Sequence, residues 1–305
     1  MMRSIRGRWA LVAVIAVLVV AVVACTRGLR RTDYGGGRLT EPSGLTAGSQ
    51  PGVYWTHNDS GDGPVIYAVT VHGRLLGQFR VRGARAEDWE AITADGAGGL
   101  FVGDIGNNGN ARRDLTVYRV AEPAVPPDAE AVVEGEVAVE RAIRFHYPEQ
   151  VGFPPAARNF DAEALFWDAR TSRLYLLTKH RGDMATVLYR FDDLDGDAST
   201  PLSARGRFVV GGDPDRYGGM VTGADLSPDG RFLAVLTYHA LFVFERPESG
   251  DDWLGQLHNR IDFDQDVTVQ AEAVAWHGDA IVFTNEQGAL FRIDDPLAAR
   301  DGRFP

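Results

Sequence analysis

Five pairs of positions, two residues apart, recur along the chain: Glu41/Ser43, Asp88/Glu90, Asp161/Glu163, Thr222/Ala224 and Gln270/Glu272. Six of the ten are carboxylates. Side chains two apart on a strand share a face, so each pair can act as a unit. Carboxylates crowded together raise one another's pKa or demand a counter-cation. Three outcomes follow: a bound cation, pairing with Lys179 or a nearby arginine, or wide separation in water. Oxygen-only donors of this kind suit Ca²⁺ or Mg²⁺ and not zinc. A second recurring position holds His57, Asp104, Lys179, Tyr238 and Asn285, each after a Thr or Gly that closes an apolar run. Oxygen donors also crowd Asn58-Asp59-Ser60-Gly61-Asp62 and Asp104 to Asn110.

The candidate cation ligands are therefore Asp88, Glu90, Asp104, Asp161, Glu163 and Glu272, with Ca²⁺ as the expected ion. The candidate ligand-binding residues are His57, Asn58, Asp59, Asn107, Asn108, Lys179, Tyr238 and Asn285. The plain alternative at each acid is a hydrogen bond to the backbone of its own loop. Ordinary turns use the same Asn, Asp and Gly. Asp193-Leu194-Asp195-Gly196-Asp197 has the 1-3-5 acid spacing of a calcium loop. It lacks the Gly and the twelfth-position Glu of an EF-hand and reads as a solvated loop. No H-E-x-x-H, G-x-S-x-G or P-loop occurs. Ser43 and Ser60 fall near His57, but a Ser-His-acid triad is recognised by geometry, not by order. Trp55, Trp89, Trp167 and Trp276 fall within apolar runs and read as core.

The elements that must position these residues form a repeat. A pattern of branched apolar, aromatic, any residue, apolar recurs at Ile66 to Val69, Val117 to Val120, Leu188 to Phe191, Leu241 to Phe244 and Leu290 to Ile293. Upstream lie further strand-like runs at Val53 to Thr56, Leu100 to Gly103, Tyr175 to Thr178, Ala234 to Thr237 and Ile281 to Thr284. The paired positions precede those, and a fourth run follows four of the units. Starts at Glu41, Asp88, Asp161, Thr222 and Gln270 space the units 47, 73, 61 and 48 residues apart. Each unit predicts a four-stranded antiparallel meander, and five such units predict an all-β, five-bladed β-propeller. Six blades is the alternative count if residues 123–160 hide one. The fifth unit stops one strand short, and the stretch from Tyr34 to Thr40 is expected to supply it, closing the ring at the N-terminal strand. In such a meander the paired positions and the second recurring position lie at one end of the central channel.

The residues Trp55 to Gly61, Asp88 to Ile92, Gly103 to Asn108, Asp161 to Leu165 and Thr222 to Gly230 carry a likeness. On them the chain resembles bacterial exported propellers of the NHL-like, SdiA-regulated-like and phytase-like groups, from Glu41 to Asp294. The resemblance implies the fold and, through the phytase-like members, calcium binding. It implies no particular reaction, since propellers host many functions.

Composition frames these readings. The chain has 305 residues, 45% hydrophobic and 24% charged, with 35 Gly and 15 Pro, which suits a turn-rich globular fold. A net charge of −11 argues against a nucleic-acid partner. Arg3, Arg6 and Arg8 precede an uncharged run from Trp9 to Ala24, a basic then apolar segment of secretory type. Sixteen residues at about 1.5 Å rise are short for a bilayer crossing. The run ends in Val22-Val23-Ala24-Cys25, which resembles the bacterial lipobox, and Cys25 is the only cysteine. The expected organisation is a lipoprotein signal peptide at 1–24, a tether at 25–33 and a propeller domain at 34–305. Removing the signal moves the net charge from −11 to −14, since three arginines go and no acid does. The protein is expected to be exported and held at the outer face of the cytoplasmic membrane by lipid on Cys25. Two functions fit: a module binding a small ligand or protein partner at an acidic, calcium-holding mouth, or a hydrolase of a phosphoester, ester or glycoside using the same carboxylates.

Overall fold

The computed structural model describes residues 37–59, 61–126, 128–196, 198–212 and 218–298, and the backbone of 32–33. The signal segment expected at 1–24, Cys25 and residues 26–31 lie outside the described residues, as do Ser60 and Asp197. The described chain is all β apart from one helical turn, Gln265–Thr268. No helix among the described residues is long and apolar enough to cross a membrane.

Each repeat opens with an inner strand: Pro42–Ala47, Trp89–Ala94, Ala162–Asp168, Val221–Leu226 and Ala271–His277. Each then pairs antiparallel with the apolar run that follows it: Tyr54–Asn58, Gly99–Asp104, Arg173–Thr178, Phe232–Thr237 and Ala280–Asn285. The aromatic-centred pattern forms the third strand throughout. Tight turns join the first two strands; Asp95, for example, accepts the N–H groups of Ala97 and Gly99 at 2.7 and 2.8 Å. The last unit takes its fourth strand from the start of the chain, where Thr32–Asp33 pairs antiparallel with Ala289–Ile293. This falls just upstream of the Tyr34 to Thr40 stretch expected for closure. The proline- and acid-rich region after residue 123 yields one 14-residue strand, Val133–His146. Its first half runs parallel to Leu75–Arg82 and its second half antiparallel to Thr116–Ala121, joining two sheets.

The inner strands pack side by side, and the last packs against the first. Between each successive pair of sheets lies a separate apolar cluster. Trp55, Trp89 and Val102 fill the first interface; Phe101, Leu165 and Tyr189 fill the second. Phe166, Val235 and Trp253 fill the third; Phe232, Trp276 and Phe283 fill the fourth. The ring closes where Leu45 and Tyr67 meet Ala273 and Val282. Burial of each large apolar side chain contributes about 1.5–3 kcal/mol, so the stability of this propeller-type ring is spread evenly around it. Trp55, Trp89 and Trp276 are buried core residues, while Trp167 is partly exposed and stacks on Phe101 at 5.3 Å.

Every inner strand carries a one-residue bulge near its start. The register shifts between Ser43 and Leu45, Trp89 and Ala91, Ala162 and Ala164, Val221 and Gly223, and Ala271 and Ala273. A bulge sets two residues against one partner and re-aims the extra side chain. The extra residues are Gly44, Glu90, Glu163, Thr222 and Glu272. Gly44 therefore matches Glu90 in the first repeat, not Ser43, and Thr222 matches it in the fourth, not Ala224. Gly44 has φ +68°, and a Cβ there would stand 2.6 Å from His57 Nε2 and 2.8 Å from Ile92 N. Backbone strain and overpacking together make Gly44→Ala cost about 3 kcal/mol. Urea unfolding checks this; a loss below about 1 kcal/mol would show that the bulge tolerates a side chain.

Candidate functional site at the channel mouth

The bulges lie at one end of the channel, around a cavity of about 170 Å³. Glu90, Glu163 and Glu272 enter it from the bulges, and Lys179 and Tyr238 from the ends of the following strands. Glu41, Asp59, Asn108, Arg181 and Glu286 complete its walls from the loops.

Lys179 is the centre of the arrangement. Its Nζ donates to Glu163 Oε1 at 2.6 Å and to the Tyr238 hydroxyl at 2.8 Å, and stands 5.0 Å from the Tyr238 ring centre. Burial by itself would discharge this amine. The surrounding Glu163, Tyr238, Glu90 and Glu272 outweigh that and hold its pKa well above the ordinary value. Glu163 is also buried, which pushes its carboxyl up to about 7 although Lys179 pulls it down. Burial wins there because Asp161 adds a second negative charge. Burial, then Glu163 and Asp59, raise Glu90 well above its ordinary value, and burial does the same to Glu272. The Glu163 carboxylate is near enough to Glu90 to raise it by like-charge repulsion. Lys179 and Arg181 are outnumbered by the carboxylates of the mouth, so the cluster takes up a proton or a further cation.

A place for that cation adjoins the pair. Carboxylate oxygens of Asp59, Asp88 and Glu90 all lie within 4.8 Å of one another. Burial, then Asp59 and Asp161, push Asp88 up to about 6. Gly106 makes the convergence feasible: a Cβ there would fall 2.4 Å from the Asp88 carboxyl and 2.6 Å from Glu90 Oε1. Oxygen donors in this number suit a hard divalent ion.

The other expected site residues turn away from the cavity. Asp104 pairs with Arg112 at 2.8 Å and accepts the Asp88 N–H at 3.0 Å. Asp161 accepts the Asn107 N–H at 2.7 Å and faces Arg181 at 3.5 Å. Both acids thus fasten loops. His57 is fully buried, bonds the Asn58 carbonyl through Nδ1 and meets Trp89 edge-on. Burial lowers it to about 4, so it is neutral. Asn58 accepts the Thr40 N–H, Asn107 donates to the Phe160 carbonyl, and Asn285 donates to the Thr268 carbonyl. Asn108 does reach the mouth, where it bonds Arg181.

Glu41 reaches the mouth as its paired position implies, while Arg181 and Glu286 are mouth residues outside the expected set. The signal that finds Glu286 is a repeated backbone clamp. The N–H of Asp59, Gly106, Lys179 and Glu286 donates to the carbonyl of Glu41, Asp88, Asp161 and Gln270 respectively, at 2.8–3.1 Å. By strand register Asn58, Ile105, Lys179, Tyr238 and Glu286 occupy the same place, so Glu286 and not Asn285 is the fifth repeat's equivalent of Lys179.

No protein-family model matches the chain, and no curated protein matches it. Three solved structures are similar in outline. The PQQ-bound aldose sugar dehydrogenase of Streptomyces coelicolor is 11% identical with a TM-score of 0.46, over 87% of this chain and 97% of that one. A luciferin-regenerating enzyme is 12% identical with a TM-score of 0.45, over 90% and 100%. A gluconolactonase of Xanthomonas campestris is 14% identical with a TM-score of 0.44, over 88% and 92%.

Proposed function

We propose that this chain is a five-bladed β-propeller, lipid-anchored at Cys25 on the outer face of the cytoplasmic membrane, that hydrolyses a small neutral ester at its channel mouth with the help of a divalent cation. The closed ring of inner strands supports the blade count. The observation that carries the function is the placement of the Asp59/Asp88/Glu90 triad directly beside the Glu90–Glu163–Lys179 chain. Asp59, Asp88 and Glu90 would hold the ion, Ca²⁺ by its tolerance of irregular oxygen shells. A bound divalent ion polarises a carbonyl and acidifies water. Glu163, ionising near neutrality, is suited to move a proton as general base and acid. Lys179 fixes its orientation, and the Tyr238 hydroxyl extends the donor set.

Before an ion binds, Glu41, Asp59, Glu90, Glu163, Glu272 and Glu286 outnumber Lys179 and Arg181 at the mouth, which favours a neutral substrate over an anionic one. A binding module is the second reading, favoured by the full engagement of Lys179 with Glu163 and Tyr238.

The experiment is a metal analysis of purified protein followed by a panel of neutral alkyl and aryl esters, for wild type and Glu163→Gln. The expected result is one bound divalent ion in both proteins and an at least ~100-fold lower kcat in the variant. Bound metal without ester turnover would leave the binding module. Turnover unaffected by Glu163→Gln would remove Glu163 from the chemistry.

A further inference from the structure

The channel has a second end, and its chemistry differs. A cavity of about 280 Å³ is walled there by the far ends of all the inner strands, including Thr46, Thr93, Trp167, Asp225 and Trp276. Four aspartates line it, and three are matched. Asp95 pairs with Arg119 at 3.1 Å, and Asp168 takes both Arg246 nitrogens at 2.6 and 3.0 Å. Asp229 accepts from the Ser227 hydroxyl at 2.7 Å and the Arg231 N–H at 3.0 Å. Arg170, at the rim, donates to the Asp229 carbonyl.

Asp225 differs from these three. Its carboxyl accepts the backbone N–H of Trp276 at 2.8 Å and that of Leu226, and none of the ion pairs among the described residues involves it. A carboxylate set in low dielectric without a counter-charge takes up a proton or a cation. Burial accordingly pushes this one up to about 7. Two indoles are among the walls: Trp167 is partly exposed, and the mostly buried Trp276 is fixed by a 3.2 Å bond from its Nε1 to the Asp225 carbonyl.

We propose that this second mouth binds an alkylated organic ammonium ion, with Asp225 as its counter-charge and Trp167 and Trp276 against its alkyl groups. Two of the carboxyl's acceptor directions are already used by backbone N–H groups. The site therefore offers charge and apolar surface more than hydrogen bonds. A primary ammonium needs three acceptors, whereas a quaternary one, the fully alkylated case meant here, has no N–H to satisfy and gains from aromatic faces. The cavity sits at the small end of ligand pockets, matching a compact cation.

Titration calorimetry of the described propeller, in the full chain without its signal, tests this with choline and its neutral isostere 3,3-dimethyl-1-butanol at pH 8. Choline is expected to bind, and the isostere at least tenfold more weakly. Asp225→Asn is expected to weaken choline at least tenfold while leaving the thermal unfolding midpoint at or above wild type. Glu272→Gln, at the opposite mouth, is expected to leave the choline affinity unchanged. Equal binding of the isostere, indifference to Asp225→Asn, dependence on Glu272, or no choline binding at millimolar concentration would each overturn the proposal.

Discussion

Lys179→Met is expected to lower the unfolding free energy by about 3–5 kcal/mol at pH 8. The ammonium is 4% exposed and sits between Glu163 and Tyr238, with Glu90 and Glu272 in reach of its field. Removing it strands carboxylates that are already reluctant to ionise. The alkyl stem of methionine keeps the packing, so the loss reads charge and not volume. At pH 5.5 the same variant is expected to lose far less, because the glutamates there are protonated in the folded state. Adding Glu163→Gln to Lys179→Met is expected to recover much of the loss, the mark of a coupled pair in a double-mutant cycle. Urea titrations of the four proteins at both pH values measure it. A loss of less than about 1 kcal/mol at pH 8, or one equal at both pH values, would show that Lys179 does not neutralise the mouth.

Stability is also expected to fall as pH rises from about 4.5 to 7, with chelator present. The groups responsible are Glu163, raised to about 7, Asp88, raised to about 6, and Glu90 and Glu272, both raised well above their ordinary range by burial. Asp225, raised to about 7 at the other mouth, adds to the same slope. Their unfolded counterparts ionise near 4, so in this window the folded chain binds more protons than the unfolded one. Stability then decreases with pH. Carboxylates held below the usual range, such as Glu122, Asp168 and Asp183, act oppositely and only at lower pH. The two sets place the maximum at the acid end of this window. A divalent ion held by Asp59, Asp88 and Glu90 displaces protons from Asp88 and Glu90, so it binds more tightly at high pH. At a hundredfold excess over its Kd it adds about 2.7 kcal/mol and flattens the decline. Unfolding midpoints from pH 4.5 to 8.5, with calcium or with chelator, test both statements. A chelated protein as stable at pH 8 as at pH 5 would refute the raised carboxyls, and no calcium response would refute the triad.

The repeat that gives the ring was legible because it is local chemistry. Alternating apolar and aromatic runs between Asp-Gly and His-Gly turns define strands whatever lies beside them, and a unit lacking one strand calls for the other end of the chain. Glu90, Glu163 and Glu272 were legible for the same reason: they occupy one place in the repeat. Asp104 and Asp161 were not. They stand near the mouth in sequence, yet Arg112 and the Asn107 N–H claim their carboxyls, and those partners come from loops with no repeat. Glu286 as the equivalent of Lys179 was hidden too. A slip of one or two residues between repeats is invisible in apolar patterning until the strand register aligns them.

Strand order and the acidity of one channel end thus follow from residue types at short range. Which carboxyls take up a proton, which accept an arginine and which face open space follow from the bulges and from cross-repeat contacts. A single inserted residue reverses a side chain's face on a strand, and sequence spacing alone carries no record of where the ladder slips.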